Sequence, residues 1–142
     1  MIRSVLAVLA GIVVLTVASF AIEWATDPLF LRLFPHALPD QAALNHNVPA
    51  KLFMMAYTFL SVAAGGYVTA WLARRAEVWH AVVMGALEAA MTVWAMTKFA
   101  HQAPLWTWIA GIALVIPAAW CGGEFRTKHA RRGAATASVT SN

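Results

Sequence analysis

Four apolar stretches, each long enough to cross a lipid bilayer, take up most of this chain. They cover residues 4–24, 52–72, 78–97 and 105–121. A membrane-spanning α-helix needs about 20 mostly apolar residues, and of the 142 residues 61% are hydrophobic and only 11% are charged. A soluble domain is about half apolar and about a quarter charged. The sequence therefore predicts an all-α fold, a polytopic membrane protein with a four-transmembrane-helix bundle over residues 1–126.

The first apolar stretch could be a cleaved signal peptide or a retained helix. Arg3 precedes it, and Ser19-Phe20-Ala21 has the small residues of a cleavage site. However, the apolar run from Val5 to Ala21 is longer than the ~7–15 residues of a signal peptide. We therefore expect a retained membrane helix.

The residues outside the spans form one long loop and a tail. In the external loop, residues 27–50, Asp27-Pro28 favours the start of a short helix through Phe34 at the membrane surface. Gly122-Gly123 is expected to end the fourth helix. Residues 127–142 are predicted to form a cytoplasmic tail that is first basic and then, from Gly133, disordered.

The distribution of Lys and Arg predicts that both termini are cytoplasmic. Positive residues are enriched in cytoplasmic segments, and seven of the ten Lys and Arg residues fall on one side of the predicted spans. These are Arg3, Arg74, Arg75, Arg126, Lys128, Arg131 and Arg132. All seven Trp residues fall near predicted helix ends, where indole rings favour the membrane interface.

The net charge of +4 does not predict nucleic-acid binding, because the basic residues flank apolar stretches instead of forming one soluble face. Cys121 is the single cysteine, so no internal disulfide is expected. No metal site is predicted, since no two His residues share a ligand spacing on one helix. No cofactor is predicted either, because no span supplies paired His residues for haem.

Glu88 is the strongest candidate for a functional residue. It lies at the centre of the third span, where an ionised group is costly, so its side chain is expected to face the bundle interior with Gly85 and Thr92. No cation lies at its depth, and we therefore expect a protonated carboxyl group. The hydroxyl-bearing residues expected near it are Ser61, Thr58, Tyr57 and Thr92.

Two roles for Glu88 remain open. A protonated carboxyl could donate an interhelical hydrogen bond, worth about 0.6 kcal/mol on average in membrane proteins. It could instead bind a proton in a transport pathway. Small residues also recur at helix-contact spacing, as in Ser61-x-x-x-Gly65 and Gly66-x-x-x-Ala70; they indicate close packing within the bundle or between two copies.

Several short motifs resemble small four-helix bacterial membrane proteins of uncharacterised function. They are Ala10-Gly11, Ala64-Gly65-Gly66-Tyr67-Val68-Thr69-Ala70, Ala73-Arg74-Arg75, His80-Ala81, Met84-Gly85, Pro104-Leu105-Trp106, Pro117 and Gly122-Gly123. The resemblance covers roughly residues 1–126 in outline and implies a location in the bacterial inner membrane. It implies no activity and assigns no role to Glu88.

We expect a non-enzymatic membrane protein that acts by binding or assembly in the membrane. Its expected partners are the lipid bilayer and either a second copy or another membrane protein. The alternative is a proton-coupled small transporter or channel subunit that uses Glu88. A membrane enzyme would need convergence of loop residues, namely His36, Asp40, His46 and His101.

Overall fold

The computed structural model describes residues 2–73 and 76–140. Within these ranges the chain is helical and contains no strand. The elements are α1 (Ile2–Leu33), α2 (Gln41–His46), α3 (Val48–Ala73), α4 (Glu77–Phe99), a 3₁₀ turn (Ala100–Gln102) and α5 (Leu105–Thr140). Of these helices, α1, α3, α4 and α5 are long and apolar enough to cross a membrane. The predicted all-α fold with four such helices is confirmed.

The long helices pack around α3, which lies against α1, α5 and α4, while α4 also packs along α5. Their shared core contains Val62, Met84, Val115, Ala118 and Ala119. We call the end of the bundle at Leu33, Val48 and Leu105 the loop end. The opposite end, at Ile2, Ala73 and Glu77, is the terminal end.

Glycines allow the helices to touch through their backbones in the half of the bundle near the terminal end. A Cβ atom added to Gly65 would lie 2.7 Å from the carbonyl oxygen of Gly11. A Cβ atom at Gly66 would meet the Ala119 backbone, and one at Gly122 would meet the Ala63 carbonyl. The small residues that the sequence places at contact spacing, Ser61, Gly65, Gly66 and Ala70, are all buried within the single chain.

Helix α1 continues through Pro28 to Leu33, so the prediction of a separate surface helix starting at Asp27 is wrong. Proline inside a helix removes one backbone hydrogen bond, but packing stabilises the continued turn. Phe30 and Leu31 pack against a small cluster of buried residues, Leu38, Leu44 and Ala50. Tertiary contacts therefore outweigh the local preference of Asp27-Pro28 for the start of a new helix.

Helix α5 continues past Gly122-Gly123 to Thr140, whereas the sequence predicts that the glycines end it and that residues 133–142 are disordered. Both glycines are buried, and a Cβ atom at Gly123 would lie 2.9 Å from the Cβ of Ala81. They are therefore contact residues and not helix stops. Ala-rich sequence beyond Gly133 favours the continued helix through residue 140. Residues 141–142 lie outside the described residues.

Candidate functional site

The structure places Glu88 on the inward-facing side of α4. Ala81, Gly85 and Ala89 on this side are buried, and Glu88 itself is half-buried. Its carboxyl group makes no hydrogen bond or ion pair with the residues described at 2–73 and 76–132. The hydroxyl group of Thr92 donates instead to the backbone carbonyl of Glu88, at 2.9 Å.

The other predicted partners of Glu88 lie along α3 and have different neighbours. The Tyr57 hydroxyl donates to Oε1 of Glu23 over 3.2 Å. Ser61 is buried, and its Oγ has no hydrogen-bond partner in the described part of the chain. Thr58 lines a cavity. An interhelical hydrogen bond from Glu88 therefore stays a prediction, as does its proton-binding role.

A cluster of charged residues at the loop end, Glu23, Asp27 and Lys51, joins α1 to α3. The Lys51 Nζ atom donates to Oδ1 of Asn45 at 3.0 Å, and Lys51 lies within electrostatic range of the Asp27 and Glu23 carboxylates. Gln41 Nε2 donates to Oδ2 of Asp27 at 2.7 Å. The other carboxylate oxygen of Asp27 is buried and has no hydrogen-bond partner among the described residues.

The segment between α1 and α3 is folded against the loop end. Asp40 caps α2 because its Oδ1 accepts a 2.7 Å hydrogen bond from the Ala43 amide. Asn47 caps the start of α3 by accepting from the Ala50 amide at 3.1 Å. Leu44 is fully buried beside Leu38. The external loop of the sequence prediction thus has its own small core.

A cavity of about 220 Å³ lies between α3 and α5 and extends from the charged cluster towards the middle of the bundle. Its lining residues are Glu23, Lys51, Met54, Met55, Tyr57, Thr58, Phe59, Val62, Thr92, Thr107, Trp108, Gly111, Leu114, Val115 and Ala118. The indole Nε1 of Trp108 is buried without a hydrogen-bond partner in the described ranges. A Cβ atom added to Gly111 would meet nothing within 4 Å. The cavity therefore combines a polar end with an apolar interior and has free space beside Gly111.

The His residues at the loop end are of a type that can bind metal ions. Among the described residues, no group of three or more His, Cys, Asp or Glu side chains could hold a metal ion. His46 contacts the carbonyl oxygen of Ala42 through Nδ1, at 2.9 Å. The candidate functional site therefore consists of the cavity and the charged cluster beside it.

The sequence analysis placed Tyr57 near Glu88 and did not predict the hydrogen bond between Tyr57 and Glu23. The available signal was the antiparallel order of the first two spans, which places the end of α1 beside the beginning of α3. Gly111 and Trp108 gave no comparable signal. Their importance depends on which face of α5 meets α3, and the sequence alone does not specify that face.

The fold and its surface indicate a membrane protein. Large apolar side chains cover the outside of the bundle; Phe20 is 68% exposed, Trp24 83% and Trp79 67%. A water-soluble monomer rarely exposes so extensive an apolar surface, whereas lipid solvates it readily. Comparison with known protein families, curated protein sequences and solved structures gives no match for this chain.

Proposed function

We propose that the chain is a non-enzymatic integral membrane protein that binds a small amphipathic molecule in the cavity between α3 and α5. This proposal rests on one observation: a single cavity has both a polar end and an apolar end. Glu23 and Lys51 line one end, and Val62, Val115 and Ala118 line the other. A molecule with a polar head and an apolar chain would satisfy both ends.

The size of the cavity supports a ligand that inserts a single chain. Its volume of about 220 Å³ is below the roughly 300–1,000 Å³ of common ligand pockets. Met54 and Met55 contribute flexible side chains to the lining, and methionine adapts readily to ligands of different shape. The rest of the ligand would remain among the surrounding lipids.

The proposed location is the bacterial inner membrane, with both termini in the cytoplasm. The excess of Lys and Arg near the terminal end and in α5 supports this orientation. The loop end, with the charged cluster, would then face outward. Lipid is the first partner, and either a second copy or another membrane protein is the second.

Filling the cavity is expected to weaken ligand binding. Gly111→Leu places a side chain in the free space beside Gly111, whereas Ala113→Leu adds a side chain to the exposed face of the same helix. Purified protein in lipid nanodiscs would be incubated with lauryl-chain amphiphiles of neutral, anionic, cationic and zwitterionic headgroup. Bound amphiphile would be counted by native mass spectrometry. We expect Gly111→Leu to lower occupancy by about tenfold, equivalent to about 1.4 kcal/mol, and Ala113→Leu to match wild type.

Equal occupancy in Gly111→Leu and Ala113→Leu for every headgroup would refute the proposal. Loss in both variants would show that added bulk on α5, and not occupation of the cavity, causes the effect, and it would refute the proposal as well. Circular dichroism would verify that each variant retains its helical content.

A second candidate function, a proton-coupled small transporter or channel subunit, is favoured by the position of Glu88. The carboxyl group has no hydrogen-bond or ion-pair partner among the described residues. It lies one helical turn from Thr92, which lines the cavity. A route for protons from the cavity to Glu88 would therefore be short.

Infrared spectroscopy in lipid tests this second candidate. We expect a protonated-carboxyl band that is absent from Glu88→Gln, exchanges in deuterated water and responds to pH. Glu124→Gln is the matched control, because Glu124 lies at the terminal end beside Lys128, 3.6 Å away. A band that neither exchanges nor titrates would assign Glu88 to interhelical hydrogen bonding and exclude the proton-coupled role.

A further inference from the structure

The charged cluster also indicates the charge of the molecule that the cavity takes, and this inference depends on the proposed binding function. Glu23 and Asp27 are acidic residues and Lys51 is a basic one, so the formal charge of the cluster is negative. Lys51 is within electrostatic range of both carboxylates, so one formal negative charge of this cluster has no compensating cation among the residues that the structure describes. Uncompensated charge is costly where lipid and apolar side chains reduce the dielectric constant.

We infer that the ligand is an organic cation with a single alkyl chain. Its positive group would lie beside Glu23 at the polar end of the cavity and make the cluster electrically neutral. Its chain would extend towards Val62 and Val115. An anionic amphiphile would add to the excess negative charge, and a zwitterionic one would leave that excess unchanged.

The available hydrogen-bond acceptors agree with a cation. Glu23 uses Oε1 to accept from Tyr57, and no hydrogen bond to its other carboxylate oxygen occurs within the described residues. Oδ1 of Asp27 is buried and unpaired among the described residues. Asp27 does not line the cavity, whereas Glu23 does, so the second carboxylate oxygen of Glu23 is the acceptor to which an ammonium group in the cavity can donate.

The aromatic rings that line the cavity also favour a cationic ligand. Tyr57, Phe59 and Trp108 line the cavity, and Phe53 contacts Tyr57 edge-on, with ring centroids 5.8 Å apart. Faces of aromatic rings attract organic cations, including quaternary ammonium groups that cannot donate hydrogen bonds. The Glu23 carboxylate and the aromatic rings of the lining together therefore favour a soft organic cation over a strongly hydrated metal ion.

Charge substitutions of opposite sign provide the test. Glu23→Gln removes a negative charge while retaining an oxygen that can accept from Tyr57, and Lys51→Gln removes a positive charge while retaining a donor for Asn45. The probes are dodecyltrimethylammonium, the zwitterion dodecylphosphocholine and neutral dodecyl maltoside, each added to protein in nanodiscs. Glu124→Gln at the terminal end is the control for an equal change of net charge.

We expect wild type to bind dodecyltrimethylammonium most tightly of the three probes. Glu23→Gln is expected to weaken this binding by about tenfold, the scale of one interaction with a charged group. Lys51→Gln is expected to strengthen it, and Glu124→Gln to leave it unchanged. Equal affinity for the three probes, or weaker cation binding in Lys51→Gln, would overturn the inference.

Different results would contradict the proposed binding function and the inference that the ligand is a cation. If Gly111→Leu lowers occupancy as expected but headgroup charge has no effect, the cavity binds alkyl chains and the inference of a cationic ligand is wrong. If Gly111→Leu and Ala113→Leu bind all probes alike, the binding function itself is wrong.

Discussion

Replacing Gly122 with alanine is expected to lower the free energy of unfolding by about 3 kcal/mol, the upper part of the range for overpacked cores. The added Cβ would collide with the backbone carbonyl of Ala63, and it would lie 2.9 Å from the Tyr67 backbone nitrogen. Backbone atoms cannot move aside by changing a rotamer, so α3 and α5 would have to separate. Reversible unfolding in mixed micelles, followed by circular dichroism, measures the loss.

Gly111→Ala is the matched control for this experiment. It makes the same substitution in the same helix, where the new Cβ would have nothing within 4 Å. Alanine is a better helix former than glycine by about 1 kcal/mol, so Gly111→Ala should be neutral or slightly stabilising. If the two variants unfolded at the same denaturant concentration, the close contact at Gly122 would not determine stability.

Replacing Leu44 with alanine is expected to release the segment over the loop end without unfolding the bundle. Leu44 is fully buried and, with Leu38 and Ala50, forms a core separate from that of the long helices. Truncation of a buried leucine costs about 2–5 kcal/mol, which is large for so small a cluster. Amide hydrogen exchange should accelerate over residues 34–47 and remain slow in α4 and α5.

Leu33→Ala is the corresponding control, because Leu33 is 62% exposed at the end of α1. It removes the same atoms from the same end of the bundle, and little change in exchange is expected. Equal acceleration in α4 and α5 of Leu44→Ala would contradict the local effect. It would show that the segment and the bundle unfold as one cooperative unit.

The long helices could be predicted because their signal is summed over about 20 residues. The inward direction of Glu88 followed in the same way, from the small residues on its side of α4. Errors arose where one or two residues were used as signals. Pro28 and Gly122-Gly123 are helix-breaking types, but tertiary packing holds the helix together at each position.

The candidate site was harder to predict because it depends on register between helices. Glu23 meets Tyr57 because α1 and α3 are antiparallel and are fixed by the contact of Gly11 with Gly65. A shift of one helical turn would pair different residues. The space beside Gly111 likewise arises from the spacing of two helices, and a missing side chain in the sequence does not by itself predict a cavity.

The uneven distribution of backbone contacts has a consequence for motion. Gly65, Gly66, Gly122 and Gly123 bring the helices together near the terminal end, whereas the cavity separates α3 and α5 near the loop end. Helices in backbone contact cannot slide without losing many contacts at once. If the helices move relative to one another, we therefore expect the glycine-rich half to be the fixed point of that motion. Displacements of the helices would then be largest at the mouth of the cavity, where the proposed ligand would enter without repacking of the core.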